Sequence, residues 1–166
     1  VLGCARGAGL QAHGEQLVTR TLLRWEGRAL NAQPAFEQIA EQFMRWETRV
    51  FDTQGASGGA RWDDIADSTK AYKRHHDPPL DPRVLHATLA LRKSLTEKGN
   101  EHMLFVPTDS FLLFGSKLDY AAFHQKGRGV KQRRPLQFTE AQKKDAIRIL
   151  QRYLAEGGTA RGGNWS

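Results

Sequence analysis

The sequence predicts an α+β fold, with a small antiparallel sheet packed against several helices in a single domain that carries extended loops and tails. Apolar residues recur at three- and four-residue spacings over several segments, as amphipathic helices require. Two short apolar runs flank a turn-forming tetrapeptide, which predicts one hairpin. A chain of 166 residues fits one domain that buries roughly two-thirds of the surface its unfolded form exposes. The expected division is an N-terminal arm or strand over residues 1–14, the α+β domain over 15–156, and a flexible, glycine-rich tail over 157–166.

Gly14 precedes a first stripe of Val18, Leu22, Trp25 and Ala29, spaced as one helical face. Pro34 is placed for a first helical turn. Beyond it Phe36, Ile39, Ala40, Phe43, Trp46 and Val50 form a second stripe. The two helices are expected to pack on each other or on a sheet. Three glycines between residues 55 and 60 mark a loop, because glycine loses more backbone freedom than other residues inside a regular element. A helix is expected over 68–76. The prolines 78, 79 and 82 then break the chain, since each also disfavours helix in the residue before it. A further helix is predicted over 84–95. The apolar runs 103–106 and 111–114, separated by Pro107-Thr108-Asp109-Ser110, form the hairpin. A small aromatic helix follows near Tyr120. The last helix is predicted over 139–156, with Ala146, Ile147, Ile149, Leu150, Tyr153 and Leu154 on one arc and Lys144, Arg148 and Arg152 stepping along the other.

Charge is concentrated. Lys and Arg balance Asp and Glu at 15 against 15 in residues 1–119 and at 1 against 1 in residues 156–166, but stand at 9 against 2 in residues 120–155, so one block carries the whole formal charge of +7. Such a block points to a polyanionic or acidic partner. Lys126, Arg128, Lys131, Arg133, Arg134, Lys144, Arg148 and Arg152 are the candidate assembly or DNA-channel contacts. They suit phosphate neutralisation or an acidic protein neighbour equally, and a solvated basic face is the plain alternative. Trp62, after the glycine-rich loop and before Asp63-Asp64, is the expected anchor of that loop on the core.

Chemistry beyond binding finds little support. His75-His76-Asp77 offers adjacent ligands whose side chains diverge on a helix. His86 and His124 lie among apolar residues and read as packed histidines. Neither a nucleophile–base order nor a phosphate-binding glycine loop stands out, so no enzymatic activity, no catalytic or metal residues and no cofactor are expected. No apolar stretch reaches the roughly 20 residues of a membrane span, and the single Cys4 cannot form an internal disulfide.

The order of several motifs resembles the phage virion morphogenesis, or tail-completion, family of Mu-like and P2-like tailed bacteriophages. The resemblance covers about residues 33–155. It rests on a helix ending at Phe51 before a glycine-rich loop, Arg61-Trp62, Ser68-Thr69-Lys70, the segment from Val84 through Thr88 to Leu95, and Phe114-Gly115-Ser116 leading into Tyr120, Ala121, Phe123, His124 and Gly127. These last five are read as fold residues, the aromatic pair filling space against the hairpin. Two departures stand out: Leu89 occupies a position that the family usually gives to glycine, and of the family's proline-rich segment only Arg134 and Pro135 match.

The resemblance implies a structural protein of the virion neck, assembled in the bacterial host cytoplasm as a ring, six copies by resemblance, around packaged DNA. Its expected partners are a head-side connector or portal-adaptor protein on one face and tail tube or terminator proteins on the other, with no membrane contact. A tail terminator capping the tube is the alternative role, and a non-specific nucleic-acid-binding protein is the reading from another class.

Overall fold

A computed structural model describes residues 6–157, with side chains from residue 14 onward. The elements run α1 (Arg6–Leu30), α2 (Gln33–Asp52), a 3-10 turn (Ala56–Gly58), α3 (Asp67–His75), α4 (Ala90–Thr96), β1 (Met103–Pro107), β2 (Leu112–Ser116), α5 (Asp119–Lys126) and α6 (Glu140–Glu156). This is a small α+β domain, as the sequence predicts.

Helix α2 is the central element. Its Ile39, Ala40, Trp46 and Val50 are buried as the stripe predicts, together with Phe51. Val50 and Phe51 form the main core with Trp62, Val84, Leu91 and Leu95. A second aromatic layer lies against the same helix, where Phe43 stacks on Phe138 at 4.4 Å between centroids and meets the edge of Phe114 at 5.6 Å. Large apolar side chains fully removed from water contribute about 2 to 3 kcal/mol each before ordering costs, so this core is the principal source of stability.

The hairpin pairs Met103 with Ser116 through to Pro107 with Leu112. Its turn is closed by Thr108, whose Oγ1 accepts from the Phe111 amide at 3.0 Å. The Asp109 carbonyl accepts from the Ala32 amide at 2.9 Å, tying the hairpin tip to the α1–α2 junction. Helix α6 opens with a reciprocal cap, in which Thr139 Oγ1 accepts from the Gln142 amide and Gln142 Oε1 from the Thr139 amide, satisfying two donors that the helix leaves open.

Four expectations are corrected. Helix α1 begins at Arg6 and takes in Gly14, within the segment expected as an arm or strand; residues 1–5 and, apart from Gly157, the expected tail lie outside the described residues. The α1 stripe does not pack on α2, and every residue from 14 to 27 is exposed. The predicted helix over 84–95 is helical only from Ala90. Its first half is an irregular segment in which Leu85 and Leu89 hold positive φ values of 60° and 59° and Val84 gives its amide to Gln54 Oε1 at 2.7 Å. Ile147, expected on the buried arc of α6, is 54% exposed.

Candidate assembly surfaces

The glycine-rich loop is built from within the chain. Gly55, at φ 90°, brings its backbone so close to Trp62 that a Cβ would meet the indole at 2.5 Å. The Gly55 amide donates to the Val50 carbonyl and the Trp62 amide to the Gln54 carbonyl, both at 2.7 Å. Trp62 is 7% exposed and sets its ring edge-on to Phe51 at 5.3 Å. Its Nε1 donates to the Arg134 carbonyl at 3.1 Å. The loop therefore needs no neighbouring subunit to hold its shape.

From Trp62 the chain enters a groove of about 800 Å³. Buried Val84 and Leu91 form its floor, with Ile65 and Leu85 half-buried beside them. Tyr120 and Val130 stand on its lips, 40% and 42% exposed. Its charged groups are mostly engaged. Lys73 Nζ donates to the carbonyls of Asp81 at 2.8 Å and Arg83 at 2.7 Å, and its burial lowers its pKa. Lys70 lies 2.7 Å from Asp64, and this hydrogen bond holds the carboxyl below its ordinary range. Close by, the Arg83 side chain holds Asp81 down to about 2.

The basic segment divides into two parts. Arg133, expected at the surface, is buried at 8% exposure, and its guanidinium donates to the carbonyls of Asp63 at 2.9 Å and Asp64 at 3.0 Å. It fastens the segment 126–134 to the chain beyond Trp62, and is not available to an outside phosphate. Lys126, Arg128, Lys131 and Arg134 are exposed, with Lys131 3.8 Å from Asp63. On α6, Lys144, Arg148 and Arg152 are exposed, and Arg148 donates to Asp145 at 2.7 Å. An exposed pair of this kind contributes little to stability.

The aromatic motif on α5 is corrected in the opposite sense. Tyr120 and Phe123 are 40% and 48% exposed, while Ala121 is half-buried and packs against the core cluster. His124 is half-buried, and its burial lowers its pKa. Gly127 caps the helix at φ 70°, its amide bound to the Phe123 carbonyl at 2.7 Å.

Two ionisable groups are fully buried: His86, which the sequence already reads as a packed histidine, and Glu47, whose burial it does not signal. Glu47 is fully buried with both carboxyl oxygens unpartnered, and burial pushes its pKa up to about 9. His86 is fully buried, with Nδ1 2.8 Å from the Val84 carbonyl and Nε2 unpartnered, and burial lowers its pKa. Among the described residues no group of three or more His, Cys, Asp or Glu is gathered to hold a metal ion, and no helix is long and apolar enough to cross a membrane.

The model of the phage virion morphogenesis family matches residues 14–156. The chain belongs to this family. No curated protein and no solved structure matches it. For a member of the phage virion morphogenesis family, the exposed α1 stripe, the open groove and the cationic surfaces are candidate contacts with other virion components. The match also reaches into α1, beyond the residues on which the resemblance was read.

Proposed function

We propose that this chain is a non-enzymatic structural subunit of the phage neck that closes with copies of itself into a ring, six by resemblance, around the DNA channel. The observation that carries this reading is the α1 helix. A domain with its own core leaves Leu17, Val18, Leu22, Leu23 and Trp25 each at least half exposed on one projecting helix. Exposed apolar surface of that extent marks an interaction site. The exposed cations of α6, Lys144, Arg148 and Arg152, suit a face turned toward packaged DNA, because phosphate neutralisation needs charge and no base-reading element.

The test is assembly followed from both ends. Native mass spectrometry of the purified chain should show a closed ring. A phage with a stop codon in this gene should accumulate DNA-filled heads and tails that do not join, and adding purified chain should restore joining. A chain that stays monomeric at every concentration, or particles complete without it, would overturn the proposal.

A further inference from the structure

We infer that α1 is the arm by which one subunit grips the next, its Val18-Leu22-Trp25 stripe seated in the neighbour's groove between α3, α4 and α5. This rests on the ring reading and adds the contact that would close the ring.

The two surfaces are complementary and lie on different parts of one chain. The stripe is apolar, and Val18, Leu22 and Trp25 are 58%, 56% and 50% exposed. Residues 14–30 span about 25 Å at 1.5 Å per residue. The helix is fixed to its own body at its C-terminal end, where Arg28 donates to the Leu154 and Ala155 carbonyls at 2.8 Å and Tyr153 to the Asn31 carbonyl at 2.7 Å. The rest projects away. In the groove, Val84 and Leu91 provide an apolar floor of the kind that a helix-in-groove contact uses.

Charge gives the contact a direction. Glu15 and Glu26, eleven residues apart and so on one side of the helix, border the stripe. One lip of the groove is Val130-Lys131, with exposed Lys126 and Arg128 in the same segment. An acidic border beside an apolar stripe thus meets a basic border beside an apolar groove.

The occupant is a second copy with a head-to-tail relation. Pairing α1 with α1 would use one patch twice and close at two subunits, whereas a stripe on one part and a groove on another repeat around a ring. Within its own chain α1 is held at α6, by the bonds from Arg28 to the Leu154 and Ala155 carbonyls.

The test places a photo-crosslinking amino acid at Leu22 in the assembled protein and maps the joined peptides. Leu22 is expected to join residues 63–66, 84–91 or 120–131 of another copy. Leu22→Asp should weaken assembly at least tenfold while leaving the monomer's melting temperature unchanged, because the side chain is already exposed there. Glu26→Lys should weaken assembly, and Lys131→Glu should restore it in the double variant. Rings that form normally with Leu22→Asp, or in which Leu22 joins only α1 or α6, would overturn this inference and leave the ring reading standing. A chain monomeric under all conditions would overturn both.

Discussion

The indole of Trp62 donates to the backbone carbonyl of Arg134 across 3.1 Å, joining the end of the glycine-rich loop to the start of the proline segment. The bond connects residues 72 positions apart and is backed by the edge-on contact with Phe51. Ring packing and hydrogen bonding can be separated by substitution. Trp62→Phe should keep most of the packing and lose about 1 kcal/mol for the bond, while Trp62→Ala should lose about 3 to 5 kcal/mol. Urea unfolding of both variants checks this, and equal losses would show that the hydrogen bond decides the site.

Glu47 should make stability fall as pH rises. Its carboxyl is neutral in the fold, with a pKa raised from the ordinary 4.5 to about 9 by burial, but ionises in the unfolded chain above about 4.5. Its contribution is therefore complete below that value, declines through neutrality at about 1.4 kcal/mol per pH unit, and is gone above about 9. Asp81, held down to about 2, acts in the opposite window, its contribution being lost as pH falls from about 4 toward 2. Glu47→Met should raise stability at pH 7.5 by about 2 to 4 kcal/mol and flatten the slope between pH 5 and 9. A variant with the parent's slope would show that Glu47 is ionised in the fold.

Arg133 and Arg128 are both arginines of the basic segment, and they should behave differently. Arg133→Ala removes two donors from part-buried contacts with the Asp63 and Asp64 carbonyls, at a cost of about 2 to 3 kcal/mol. Arg133→Lys should recover only part of this, because an ammonium cannot reproduce the planar fork. Arg128→Ala, at an exposed position, should leave unfolding unchanged within about 0.5 kcal/mol. Thermal melting of the three proteins side by side is sufficient, and equal effects of the two alanine variants would refute the distinction.

What could be read from the sequence depended on whether burial follows periodicity. The stripe of α2 and the hairpin runs were legible because their apolar spacing matches the faces they bury. The stripe of α1 has the same spacing, and periodicity does not say whether a face meets its own domain or another chain. Arg133 and Lys73 look like any surface cation in the sequence; their burial depends on carbonyls within 3 Å, which the turn after α3 brings to Lys73 and long-range folding brings to Arg133. Glu47 is hidden for a different reason, since a lone carboxylate on a helix is nearly always solvated. Phe123 fails the other way, as an aromatic on a short helix that remains 48% exposed.

Leu89 links a departure in sequence to a strained backbone. It sits at φ 59° and ψ 0° immediately before α4, in the left-handed region that costs an L-residue about 1 to 2 kcal/mol and glycine almost nothing. The position is the one that the family resemblance assigns to glycine, so the turn survives here with a residue poorly suited to it. Leu89→Gly should therefore stabilise the domain by up to about 1 kcal/mol, after the partial loss of contacts from a half-buried side chain. Leu89→Ala should give no such gain, because it keeps the Cβ that opposes the conformation. Ala90→Gly, one residue later at the first helical position, should destabilise the domain, because glycine gives up more backbone freedom on entering the helix. Equilibrium unfolding of the three variants would reveal the sign at each position, and a loss at Leu89→Gly as large as that at Leu89→Ala would mean that the leucine side chain, and not the backbone angle, governs this turn.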